Sequence, residues 1–241
     1  MTQLSHNLAR LEAEVAAACR AANRPRNEVE LIAVSKTHPA SAIAEAVTLG
    51  LHIFGENRVQ EFAQKSAELA PIRSQIQAHL IGHLQSNKAA KAVELFNAID
   101  SLDSLKLAER LNAAAAESPL WTGRKLPVLI EIKLSHEETK AGMAPDSPEL
   151  AEMLDRLPDL AHLEAQGLMT IAPFSVPEDE TRACFRALRQ LRDQFAQTNP
   201  RLKLPVLSMG MSGDFALAIA EGATRIRIGT ALFGTRTGYT A

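Results

Sequence analysis

The stretch LIAVSKTHPASAIAEAVTLGLHIFG, residues 31–55, reads as strand, turn, helix and strand in succession. LIAVS (31–35) and LHIFG (51–55) are short apolar runs rich in branched and aromatic side chains, the signature of buried strands. Between them SAIAEAVTLG carries apolar residues at helical spacing and closes on a glycine, which accepts the left-handed conformation of a helix C-cap. A strand, a helix and a strand in so short a span predict a parallel βαβ unit.

The same alternation continues along the chain. Further strands are read at AHLIG (78–82), NAIDS (97–101), PVLIEIKLS (127–135), LEAQGLMTI (163–171), LPVLSMG (204–210) and TRIRIG (224–229), which makes eight. Helical periodicity marks SNKAAKAVELF, DSLKLAERLNAAAAE, SPELAEMLDRL, DETRACFRALRQLRDQF and SGDFALAIAEG, several opening on a Ser or Asp N-cap. Ahead of them Leu4, Leu8, Leu11 and Val15 recur at helical spacing, so Thr2–Ala22 forms a leading helix that NRPRN stops. The expectation is one (β/α)8 TIM-type barrel with an extra N-terminal helix, a single domain over residues 1–241, close to the usual barrel length of about 250 residues. A doubly wound open sheet is its rival. No repeat of fixed period is present.

Bulk composition narrows the function classes. With 26 Lys+Arg against 28 Asp+Glu the formal charge is −2, and no block of five like charges occurs, so neither nucleic acid nor an anionic membrane is an expected partner. The N-terminus is amphipathic, and no run approaches the roughly 18 apolar residues of a spanning helix. Cys19 and Cys184 lie far apart in alanine-rich helical segments and are expected to be reduced, buried residues of a cytoplasmic protein, with a disulfide as the alternative.

In a barrel the chemistry sits at the C-terminal ends of the strands, and Lys36 finishes the first one. Alternation puts Ile32, Val34 and Lys36 on one face. If that face lines the barrel, desolvation lowers the lysine pKa from its usual ~10.4 and frees the amine to condense with an aldehyde. A lysine that merely snorkels to solvent at a strand end is the other reading. The loops after strands 7 and 8 bear on the choice. SMGMSGD offers Ser208, Gly210, Ser212 and Gly213, and RIGT offers Gly229 and Thr230, where barrels commonly hold phosphate. In TRIRIG the isoleucines pack outward and turn Arg225 and Arg227 into the barrel, where Arg227 either pairs with a carboxylate or donates to a ligand nitrogen. An aldehyde for a lysine, a phosphate for Gly-Ser-Thr loops and a ring nitrogen for an arginine together describe pyridoxal 5′-phosphate (PLP).

Other patterns carry less. HLIGH lacks the Glu of a zinc H-E-x-x-H helix, and on a strand His79 and His83 lie about 13 Å apart, so both are expected in core or supporting roles. GMSGD is one residue short of a nucleophile elbow, and neither a P-loop nor a G-x-G-x-x-G is present.

AVSKTHP (33–39), FGENRVQE (54–61), HLIGHLQSNK (79–88), KAGM (140–143), GLMTI (167–171), LSMGMS (207–212) and RIGTALFG (227–234), in this order, resemble the pyridoxal phosphate homeostasis protein family over nearly the whole chain. The resemblance implies a single barrel similar to the N-terminal domain of alanine racemase. It implies a Schiff base on Lys36, Arg227 at the pyridine nitrogen, Ser208, Ser212, Gly229 and Thr230 around the phosphate, and Asn57 near the ring. It also implies a monomer that binds and buffers PLP for PLP-dependent apoenzymes, without established catalysis. Gly213 and Lys133 depart from residues common in the family, at the pocket edge only. A weak PLP-dependent racemase is the alternative. Racemisation needs a base on each face of the α-carbon, and in alanine racemase the second is a tyrosine from an additional C-terminal domain, whereas here the only tyrosine is Tyr239. An aldolase-like barrel shares the lysine but gives Arg227 no role.

Overall fold

Each of the eight apolar runs forms a strand, and the strands pair in parallel in sequence order until the eighth closes on the first. They are β1 (Glu30–Val34), β2 (Ile53–Glu56), β3 (Gln77–Leu80), β4 (Ala98–Leu102), β5 (Leu126–Glu131), β6 (Leu163–Met169), β7 (Val206–Ser208) and β8 (Arg225–Ile228). The structure, a computed structural model, describes residues 2–135, 137 and 141–234, so Lys140 and Tyr239 lie outside the described residues. Closure settles the choice of architecture in favour of the TIM barrel, because an open sheet would leave two unpaired edges.

Helices α1 (Gln3–Ala21), α2 (Ala40–Thr48), α3 (Val59–Glu68), α4 (Ala89–Leu95), α5 (Leu105–Glu117), α6 (Pro148–Arg156), α7 (Glu178–Thr198), α8 (Phe215–Ala220) and α9 (Thr230–Phe233) wrap the strands. Ser104 and Ser147 cap α5 and α6, accepting from the N–H groups of Leu107 and Leu150. The extra helix α1 buries Leu4, Leu11, Val15 and Cys19 and packs against α8 and α9, where Asn7 Nδ2 donates to Leu232 O at 2.8 Å. Helices α3 and α9 are additional to those read from periodicity, and β5 and β7 stop short of the apolar runs that announced them. Both cysteines are buried, and neither forms a disulfide. No described helix is long and apolar enough to cross a membrane.

Strand alternation sorts the residues into two environments. Leu31, Ala33, Phe54, Ala78, Leu80, Val128, Ile130, Leu168, Leu207, Ile226 and Ile228 face out into one continuous core beneath the helices. Ile32, Val34 and Ile81 form a separate cluster inside the barrel. Gly55 makes room for it, since a Cβ there would stand 2.8 Å from both Ile32 Cγ2 and Ile81 Cδ1. The other interior positions are unusually polar: His79, Asp100, Glu131, Ser208, Arg225 and Arg227 are all buried. At the end where the strands begin, Trp121 in the α5–β5 connection is buried and donates Nε1–H to Val93 O at 3.0 Å.

Strands β6 and β7 approach so closely at Gly167 that a Cβ would lie 1.9 Å from Val206 O, inside the wall of the barrel. Gly167→Ala is therefore expected to cost on the order of 3 kcal/mol or more. Gly213→Ala, with nothing within 4 Å, should stay within about 0.5 kcal/mol of wild type. Urea unfolding of the two variants compares them directly.

Candidate functional site

At the C-terminal ends of the strands, Lys36 occupies a turn two residues beyond the end of β1 and is half-buried. It follows Ile32 and Val34 of the interior cluster. His38 N–H closes the turn on Ser35 O at 3.1 Å, and the His38 ring lies 5.0 Å from that of Phe233 in α9. The neighbouring β8 ends at Gly229, whose missing Cβ would be 3.5 Å from Val34 O, which places the β8 loop beside the lysine turn. On the other side β2 ends in Glu56, and Asn57 follows it. Asn57 Oδ1 is buried without a hydrogen-bond partner. The backbone of Asn57 is clasped by Gly82, where a Cβ would approach to 2.5 Å of Asn57 O.

The loops after β7 and β8 are stitched together. Ser212 Oγ accepts from Ala231 N–H at 3.2 Å, and Arg227 N–H donates to Gly210 O at 2.9 Å. Gly210 has φ +93°, and a Cβ would collide with Ala218 Cβ at 2.6 Å, so the tight turn after β7 requires glycine. Asp214 accepts from Met211 N–H at 2.5 Å. Burial raises its pKa, while that bond and the Arg227 charge counteract the rise. Of the expected loop residues Ser208 is buried, Ser212 and Gly229 are half-buried and Thr230 is exposed. Gly213 is exposed in the same loop.

Both arginines of β8 point inward, as alternation predicts, and they are handled differently. Arg225 takes the carboxylates, with Nε 2.5 Å from Glu30 and Nη1 3.3 Å from Asp100. Arg227 instead donates Nη1 to Ser208 O and Oγ at 2.8 and 2.9 Å and Nη2 to Thr170 O at 2.8 Å. Burial depresses its pKa, an effect opposed by the charges of Asp100, Glu131 and Asp214. A guanidinium has five N–H donors, so these three bonds leave donors over. Asp100 is also 3.1 Å from His79 Nδ1. Burial favours its protonated form, but His79 and Arg225 outweigh that and hold the pKa below the ordinary value. His79 is thus a core residue supporting the arginine layer, and His83 Nδ1 lies 2.7 Å from Asp103. Among the described residues no three His, Cys, Asp or Glu side chains are grouped as metal ligands.

Glu131, at the end of β5 and across the barrel from β1, escaped the sequence reading, which saw it only as a strand residue. It is 4% exposed, and its Oε2 has no hydrogen-bond partner. Burial and the nearby charge of Asp103 push its pKa up to about 7 against the pull of Arg227 and His83.

Residues 6–237 match the family model of the alanine racemase N-terminal domain. Pyridoxal phosphate homeostasis proteins of Pseudomonas aeruginosa and Escherichia coli K12 are 43% and 41% identical to this chain. Each alignment covers 98% of it, with 97% and 98% of the respective relative. The chain belongs to the pyridoxal phosphate homeostasis protein family. A solved member, PipY of Synechococcus elongatus with PLP bound, superposes with a TM-score of 0.84 at 45% identity, covering 96% of this chain and all of that one. Alanine racemase of Clostridium difficile shares the fold alone, with a TM-score of 0.69 at 16% identity over 97% of this chain and 56% of the racemase.

The Glu131 carboxyl binds a proton more tightly in the folded chain, at about 7, than at its ordinary 4.5. Stability therefore falls as pH rises between those values. Glu131→Gln removes the ionisation, so its advantage over wild type in urea unfolding should widen by up to about 3 kcal/mol from pH ~4.5 to pH ~8.

Proposed function

We propose that this protein binds pyridoxal 5′-phosphate as a Schiff base on Lys36 and serves in PLP homeostasis in the cytoplasm. In this reading residues 1–241 form one cofactor-binding unit that works as a monomer and passes PLP to apoenzymes. The observation that carries it is the buried Asn57 Oδ1 without a partner. It sits in a mouth that also gathers the Lys36 turn, the stitched loops after β7 and β8, and Arg227 with donors to spare. A buried acceptor left unmatched calls for a donor from a bound molecule.

The residues present fit this cofactor. Lys36 supplies the amine, Ser208, Ser212, Gly229 and Thr230 surround the phosphate, Arg227 meets the ring nitrogen and Asn57 the ring edge. The names of the relatives and the PLP bound in PipY support the assignment. When bound, PLP supplies an aldehyde that condenses with amines and a ring that withdraws electrons. A permanently charged guanidinium beside the ring nitrogen disfavours the pyridinium that makes the ring a strong electron sink. Carrying the cofactor is therefore the better use of this site than turning over amino acids.

The test is to add PLP, reduce with borohydride and map the pyridoxyl mass by peptide digestion. Label is expected on the peptide carrying Lys36 and to fall at least about tenfold in Lys36→Ala, the group that forms the covalent bond being gone. Label spread over surface lysines, or unchanged in the variant, sinks the reading. In deuterated water the holo-protein should exchange the α-proton of single-enantiomer amino acids no faster than free PLP; faster exchange makes it an enzyme.

A further inference from the structure

Lys36 lies between two peptide groups that end on the same ion cluster. Lys65 of α3 is buried, and its Nζ donates to Ser35 O at 2.9 Å and to Glu56 Oε1 at 2.9 Å. It also pairs with Glu61 Oε1 at 2.8 Å. Ser35 Oγ donates to Glu56 Oε1 at 2.7 Å. Glu61 Oε1 accepts Thr37 N–H at 2.6 Å. So the carbonyl before Lys36 is held by Lys65, and the amide after it by Glu61.

The turn being held is strained. Thr37 has φ +67°, and it is the one β-branched residue among the three described non-glycine positions with positive φ. Such a conformation persists only where the surroundings over-determine it. The cluster that does so is itself costly, because two carboxylates and an ammonium have been taken from water, and buried ion groups of this kind seldom add net stability. Glu56 shows the cost, since burial raises its pKa in spite of Lys65 and Ser35. In Glu61 the bonds from Lys65 and Thr37 outweigh burial and lower it. Glu61 and Lys65 stand four residues apart on one face of α3, and Glu56 immediately precedes Asn57, so one cluster ties together the two edges of the mouth.

We propose that Glu61 and Lys65 are positioning residues, which fix the turn on both sides of Lys36 so that its amine meets the cofactor aldehyde. The role rests on the assignment of Lys36 made above. The Glu61 side chain is 24% exposed, so its replacement leaves the core intact. The experiment follows the rise of imine absorbance on mixing PLP with full-length wild type, Glu61→Ala and Glu61→Gln, with melting temperatures measured alongside.

Glu61→Ala is expected to slow capture about tenfold, as misplacing a reacting group does. Glu61→Gln keeps an oxygen for Thr37 N–H and should stay within about twofold of wild type, with melting temperatures within about 4 °C of each other. Capture by Glu61→Ala at the wild-type rate overturns the proposal, and so does Glu61→Gln as slow as Glu61→Ala. If Glu61→Ala melts far below wild type, Glu61→Asp replaces it: charged but too short to reach Thr37, it should be slow while Glu61→Gln is fast, and equal rates overturn the proposal. Absence of capture at Lys36 in wild type defeats the PLP assignment and this inference together, and is seen before any variant is made.

Discussion

A guanidinium enclosed in a barrel must find its acceptors in the barrel wall, and β8 places two there. The chain meets that demand in two ways. Arg225 is neutralised by direct contact with Glu30 and Asp100, and Asp100 in turn engages His79. Arg227 is held by uncharged oxygens of Ser208 and Thr170, with its charge balanced from farther off by Asp100, Glu131 and Asp214. Because an interior charge without compensation costs several kcal/mol, these residues rise or fall together. Glu131 belongs to this balance as a charge facing Arg227, and its raised pKa comes from burial and the nearby Asp103, with Arg227 pulling the other way.

A second set of charges organises the turn after β1, and the two sets share no member. Glu56, Glu61 and Lys65 lie under the turn after β1, while the arginine network takes in Glu30 at the start of β1 and runs through β8, β4 and β5. Inside the barrel Ile32, Val34 and Ile81 pack over the space that Gly55 leaves open.

The fold was legible because closed parallel strands are short apolar runs separated by helices, and every one of the eight runs obeyed that pattern. Inward placement of Arg225 and Arg227 followed from period-two alternation in TRIRIG alone. What stayed hidden were partners set by three-dimensional closure. That Asp100 belongs to Arg225 and not to Arg227 depends on the pairing of β8 with its neighbours. Nothing in the sequence marks Glu61 and Lys65 of α3 as partners of the turn after β1, because only folding brings Lys65, 8% exposed, under Ser35 O. Glu131 gave no local signal, since within PVLIEIKLS (127–135) it reads as one more residue of a strand, and only the structure ends β5 there.

The placement of Trp121 has a practical side. It is the only tryptophan of the chain and lies buried where the strands begin, the full height of the barrel away from the mouth, with Arg124 stacked 4.5 Å over its ring. Its emission therefore reports whether this end of the barrel is intact, through a buried ring whose Nε1–H is held by Val93 O. The chain thus carries a built-in gauge of unfolding that needs no label.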